Sequence, residues 1–163
     1  MSTKDPHAPR VYLAGPILGC NFGEANDWRK LVSDQLAPHN IVGVSPLRCE
    51  PIHGERYSAE YPDPCFGVPR AIASKNKFDV FTCAMGLYFV PKPPAGRLHS
   101  FGTVGELFWA NGAGKQTILV SDDPFIMSHP VIDAASGWKL ATFDEAVRVI
   151  VGVLGAYAGG KNV

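Results

Sequence analysis

Short apolar runs alternate with amphipathic stretches along this chain, and turn residues punctuate both. Val11-Tyr12-Leu13-Ala14 is an uninterrupted apolar run stopped by Gly15-Pro16, the pattern of a first strand buried on both faces. Trp28, Leu31, Val32 and Leu36 then recur at helical spacing, and Pro38 ends that helix. Ile41-Val42-Gly43-Val44 reads as a second strand, stopped by Ser45-Pro46. Leu47 to Phe66 is rich in Pro, Gly, His and charge, which predicts a long loop of the kind that often carries function. The pattern then predicts a helix over roughly Pro69 to Phe81, a strand over Met85 to Val90 and an irregular loop over Pro91 to Phe101. A helix over Thr103 to Ala113 closes at Gly114, followed by a strand over Thr117 to Val120 and a short fifth strand over Trp138 to Ala141. On the last helix, Phe143, Ala146, Val147, Ile150, Val151 and Leu154 form one apolar stripe, opened by a capping box of Thr142 and Glu145.

Strands alternating with helices imply a parallel sheet covered on both faces. The expected fold is α/β: a single doubly wound, flavodoxin-like domain with a five-stranded parallel sheet in the order 2-1-3-4-5. The domain is assigned to residues 10–158, between an N-terminal tail of 1–9 and a C-terminal tail of 159–163. Ligands in such folds bind beyond the carboxyl ends of the strands, near the topological switch. Those ends are Ala14 to Ile17, Ser45 to Arg48 and the loop before Gly102.

Composition narrows the chemistry. Hydrophobic residues make up 46% and charged ones 18%, which excludes disorder, and no apolar run is long enough to span a membrane. Lys and Arg total 15 against 15 Asp and Glu, so no basic excess points to a polynucleotide. Cys20, Cys49, Cys65 and Cys83 form no metal-ligand or disulfide spacing. With a polar start, Met1 to Arg10, these features read as a cytoplasmic protein.

Two motifs fail. Gly112-Ala113-Gly114-Lys115-Gln116 lacks the Ser/Thr and the earlier Gly of a phosphate loop and reads instead as a helix end. Leu98 to Gly102 lacks the first Gly of a nucleophile elbow. What stands is Ser100-Phe101-Gly102-Thr103-Val104-Gly105-Glu106. Its plain reading is a capping box, with Thr103 at the N-cap and Glu106 at N3. The same geometry would hold a carboxylate as the anion at a helix start, as an oxocarbenium-like sugar needs. Ser100 and free amides there would take a sugar hydroxyl or a phosphate, and Gly102 allows close backbone approach.

The chain resembles the nucleoside 2-deoxyribosyltransferase family, which includes deoxynucleoside monophosphate N-glycosidases. The resemblance rests on Tyr12-Leu13-Ala14-Gly15-Pro16, Asp27-Trp28-Arg29, Pro46-Leu47-Arg48, Ser100 to Glu106, Gly114-Lys115 and Asp144-Glu145-Ala146, in that order from Val11 to Leu154. It implies cleavage or exchange of the N-glycosidic bond of a deoxynucleoside or deoxynucleotide through an intermediate on Glu106, without metal or organic cofactor. A catalytically impaired nucleotide-binding module is the reading from another class. Ser100 resembles the monophosphate-binding members, whereas members acting on free nucleosides often carry Asp there. Two departures stand out. Asn76 occupies the place of the family's Asp, and an amide cannot act as a general acid. Ala84 replaces an Asp at the start of the third strand. Asp79 and His99 are the substitutes for proton transfer, with plain readings as a solvated helix charge and a surface histidine.

Tyr12, Gly15, Pro16, Phe22, Arg48, Ser100, Gly102 and Thr103 are expected around the substrate, and Glu106, Asn76 and Asp79 at the chemistry. Trp109 shares the Glu106 helix face and reads as packing or as a pocket wall. Arg70 and Lys75 read as solvated helix charges. Val149 and Val153 beside the last stripe, with the apolar Leu154 to Gly160, predict a homo-oligomer. The resembled family is likewise oligomeric.

Overall fold

The computed structural model describes residues 7–155. Its five strands are β1 (Arg10–Ala14), β2 (Val42–Val44), β3 (Met85–Phe89), β4 (Gln116–Val120) and β5 (Trp138–Leu140). All pair in parallel in the order β2-β1-β3-β4-β5, as the alternating pattern predicts. Helices α1 (Phe22–Leu36) and α6 (Phe143–Leu154) cover one face. Helices α2 (Pro69–Thr82), α3 (Phe101–Gly112), α4 (Pro124–Ser128) and α5 (Pro130–Ala135) cover the other. The last two are too short to leave a helical period in the sequence.

The two-residue alternation of strand side chains decides what faces the site. Val11 and Leu13 of β1 join Trp28, Val32, Ile150 and Leu87 in the core beneath α1 and α6. Tyr12 and Ala14 point the opposite way, into the core beneath α2 and α3 with Val80, Tyr88 and Leu107. Tyr12 thus lies under the two helices that carry Asn76 and Glu106. The switch point lies between β1 and β3, where connections leave in opposite directions, and the chain ends of both strands open into one cavity.

Helix ends follow local chemistry. Asn21 and Glu24 form a reciprocal capping box on α1, and Thr142 and Glu145 form the expected one on α6. Helix α3 departs from expectation. It starts at Phe101 with Ser100 at the N-cap, so Thr103 is already helical and Glu106 lies in the second turn. The expected Thr103–Glu106 capping box is absent, because Glu106 is drawn inward to Tyr12 and Asn76. Gly114 ends this segment with φ 69°, a left-handed conformation suited to glycine.

Val149 and Val153 are half-buried and pack against the α1/α6 core, which gives them a role within their own chain. Of the apolar Leu154 to Gly160 stretch, residues from 156 onward lie outside those described. Large exposed apolar side chains occur instead on α2 (Phe78, Phe81) and α3 (Phe108, Trp109). No helix among the described residues is long and apolar enough to cross a membrane.

Candidate active site

Glu106 is 8% exposed and lines a cavity of about 780 Å³ at the carboxyl ends of β1 and β3. Its Oε1 accepts two hydrogen bonds, from the Tyr12 hydroxyl at 3.1 Å and from Asn76 Nδ2 at 3.0 Å. Among the described residues nothing hydrogen-bonds Oε2. The carboxylate is therefore anchored by one oxygen, with the other left unpaired in a side chain that borders open space. Gly102, one turn earlier, also lines the cavity, and a Cβ there would meet nothing within 4 Å.

Burial dominates the electrostatics and pushes Glu106 up to about 7, against the pull of the Tyr12 and Asn76 hydrogen bonds and of the Arg29 and Lys75 charges. The helix start does not hold the carboxylate as an anion, since the dipole fades beyond the first turn. Burial, and then the nearby Glu106 charge, raises Tyr12 well above the ordinary phenol range, so it stays a neutral donor.

Arg29, only 2% exposed, shapes the cavity edge. It donates to Leu13 O at 3.0 Å, to Gly15 O at 3.0 Å and to Ala25 O, which clamps the end of β1 onto α1. Burial lowers it to about 10, which leaves it charged at neutral pH. A Cβ on Gly15 would fall 2.5 Å from Trp28 Cζ2, so the turn after β1 needs glycine.

The structure distributes the expected residues unevenly. Gly15, Pro16, Asn76, Ser100, Gly102, Thr103 and Glu106 all line the cavity. Tyr12 has no exposed surface and acts from behind Glu106. Phe22 begins α1 at 59% exposure and does not line the cavity. Arg48 and Asp79 are spent on each other. Arg48 Nη1 and Nη2 bind the two Asp79 oxygens at 2.5 and 2.6 Å, and Asp79 is fully buried. Asp79 is thus not a solvated charge, and neither Asp79 nor Arg48 lines the cavity.

Three further residues, Lys75, Glu50 and Arg29, pack around the site. Lys75 is not solvated: its side chain is 9% exposed, binds Pro46 O, donates to Asn76 Oδ1 at 2.8 Å and lies 3.3 Å from Glu50 Oε1. Glu50, from the long loop, lines the cavity at 8% exposure. Nothing in local spacing marks either, because their partner lies on another element. Arg29 did leave a signal in Asp27-Trp28-Arg29, but not its role.

Cationic and hydroxylic side chains also line the cavity: Lys92, Arg97 (3.5 Å from Glu24, which lines it too), His99, and Ser100 and Thr103 at the start of α3. Ser100 Oγ and Thr103 Oγ1 share a hydrogen bond of 2.8 Å, and His99 Nε2 lies 2.7 Å from Asp123 Oδ2. His99 is therefore a cavity residue backed by a carboxylate rather than a surface histidine. Among the described residues no His, Cys, Asp and Glu cluster could hold a metal ion.

A doubly wound α/β protein with a buried carboxylate at its topological switch is the class that this fold and cavity define. Solved structures share the fold. The 2-deoxyribosyltransferase of the psychrotolerant bacterium Bacillus psychrosaccharolyticus matches over 89% of this chain and 95% of its own, with 16% identity and a TM-score of 0.61. The CMP N-glycosidase of Clostridium botulinum matches over 89% and 99%, with 18% identity and a TM-score of 0.51. The molybdenum cofactor binding protein of Rippkaea orientalis matches over 91% and 99%, with 13% identity and a TM-score of 0.55. No protein-family model and no curated protein matches the sequence. At these identities the likeness defines the fold, the one implied by the sequence resemblance, and function must be argued from the site.

Proposed function

We propose that the protein cleaves or exchanges the N-glycosidic bond of a deoxynucleoside or deoxynucleotide by double displacement on Glu106. The observation that carries this reading is the state of the carboxylate: Oε1 held by Tyr12 and Asn76, Oε2 unpaired, the side chain on the cavity wall. A nucleophile of this kind must keep its position while one oxygen reacts. The Glu106 oxygen bonds to the anomeric carbon as the C–N bond breaks, and the base leaves with the bonding pair and takes up a proton. Water or a second base then attacks the same carbon, gives up a proton to solvent and releases Glu106 as a carboxylate. Asn76 orients Glu106 but supplies no proton. His99 is the imidazole on the cavity wall, suited to general acid–base work.

A specific observation favours a monophosphate substrate. Lys92, Arg97 (ion-paired with Glu24 at 3.5 Å), His99 and Ser100 line the cavity, and Ser100 stands at the N-cap of α3, so cations, a hydroxyl and first-turn backbone amides are on offer to an anion. Two solved structures of the same fold, a 2-deoxyribosyltransferase and a CMP N-glycosidase by name, are compatible with either substrate. The test is incubation with deoxynucleosides and their monophosphates, with and without free base, followed by chromatography. Released base supports hydrolysis, exchanged base supports transfer, and neither product from any substrate sinks the proposal. A deoxyribosyl mass on the Glu106 peptide of quenched enzyme would identify the intermediate.

A further inference from the structure

We infer that Lys75 is a positioning residue for Glu106: it fixes the Asn76 side-chain amide so that its NH2 group, not its oxygen, faces the carboxylate. The inference rests on the N-glycosidic reading only for its effect on turnover.

An asparagine amide is nearly symmetric in shape, and its two ends differ only in hydrogen bonding. Here both ends are specified. The Lys75 ammonium, which has donors and no acceptor, takes Asn76 Oδ1 at 2.8 Å. Asn76 Nδ2 is thereby turned to Glu106 Oε1 at 3.0 Å. The reversed amide would set oxygen against carboxylate and NH2 against ammonium, two repulsions in place of two bonds. Asn76 is 8% exposed, so water cannot restore the lost partners cheaply. Lys75 is itself held by Pro46 O and by Glu50, whose Oε1 makes no hydrogen bond but lies 3.3 Å from the ammonium. The Lys75 charge also lowers Glu106 directly, and removing Glu50 together with Lys75 holds the net charge constant, so the paired variant separates that pull from the amide route.

Other groups facing Glu106 are Tyr12 from β1, Arg29 from α1 and Tyr88 from β3, and among the described residues none of them hydrogen-bonds the Asn76 amide. At this position an Asp would set a second negative charge beside Glu106. An Asn locked by Lys75 delivers a donor without that charge, which gives a physical sense to the departure from the resembled motif.

The experiment follows the Glu106 carboxyl carbon by NMR against pH, with Glu106→Gln assigning the signal. It compares wild type, Lys75→Met, Asn76→Ala and the combination of both. Lys75→Met combined with Glu50→Gln removes the pair without changing net charge, and serves also if the single variant folds poorly. Loss of the directed amide should raise the titration midpoint by about one pH unit. Lys75→Met should add little once Asn76 is Ala. In an active enzyme Lys75→Met should lower kcat by about tenfold, the size of one lost charge-assisted bond, with KM little changed. An unchanged midpoint in both the single and the paired Lys75 variants, or a Lys75 effect that adds in full in the Asn76→Ala background, overturns the inference. The titration needs no turnover. A wild type inactive on every nucleoside but showing the coupled titration would defeat the glycosidic reading and leave the positioning role standing.

Discussion

The Tyr12 hydroxyl and the Glu106 carboxylate, 94 positions apart in the chain, meet at 3.1 Å. Strand alternation sends Tyr12 toward α2 and α3, and the second turn of α3 brings Glu106 down onto it. Tyr12→Phe removes one of two donors to Oε1 and keeps the packing of the ring. The ionised carboxylate loses support, so the midpoint of the pH–activity curve should move upward and kcat should fall about tenfold. A profile identical to that of wild type would remove Tyr12 from the site.

Ionisation of Glu106 should govern both activity and stability. A carboxylate nucleophile is competent above its own pKa, so kcat/KM of the free enzyme should rise with pH through about 7. For stability the sign is the reverse. The folded value of about 7 lies above the ordinary 4.5, so the advantage of the protonated form is full below 4.5 and lost as pH rises through about 7. The difference corresponds to about 3 kcal/mol as an upper bound. Glu106→Gln should therefore melt higher than wild type at pH 8 and equally at pH 4, while base release falls by orders of magnitude. Equal melting at both pH values, or retained turnover in the folded variant, would overturn the assignment.

Asp79 is expected to be structural. Asp79→Asn weakens the paired contact with Arg48, whose half-exposed side chain limits the loss through solvent screening. Stability should fall by about 1–2 kcal/mol in chemical denaturation. The activity of the remaining folded fraction should stay near that of wild type. A loss of kcat without loss of stability would return Asp79 to the chemistry.

The cationic side chains lining the cavity predict nucleotide over nucleoside. Calorimetry at low salt should give tighter binding of a deoxynucleoside monophosphate, and the gap should narrow with added salt as Lys92 and Arg97 are screened. Arg97→Ala should reduce the preference. Equal affinities for nucleoside and monophosphate would remove the argument.

Assembly is expected through exposed aromatic side chains rather than the valines of α6. Phe78 is 61% exposed and Trp109 36%, on adjacent helices that border the site. Light scattering should show a dimer or larger, and Phe78→Glu should shift it toward the 17.5 kDa chain. Monomeric wild type at micromolar concentration would rule this out. Val149→Glu, by contrast, should lower stability directly, because that side chain packs on its own core.

By itself the sequence determined the five strands, the four longer helices and their order. Apolar runs such as Val11 to Ala14, the α6 stripe and the Thr142–Glu145 box are local signals, and local signals survive without the rest of the chain. Parallel strands joined by helices leave few ways to wind a five-stranded sheet, so the order β2-β1-β3-β4-β5 followed from the pattern. The Ser100 to Glu106 segment also marked its position. Its meaning could not be read locally, because a cap and an inward carboxylate share the same spacing. Only the tertiary structure decided that Glu106 turns to Tyr12 and Asn76, that Asp79 is neutralised by Arg48 and that Lys75 is buried against Glu50. Each of these depends on a partner brought from another element, and a buried charge has no one-dimensional signature. The distances that set its protonation exist only once the sheet has closed the site.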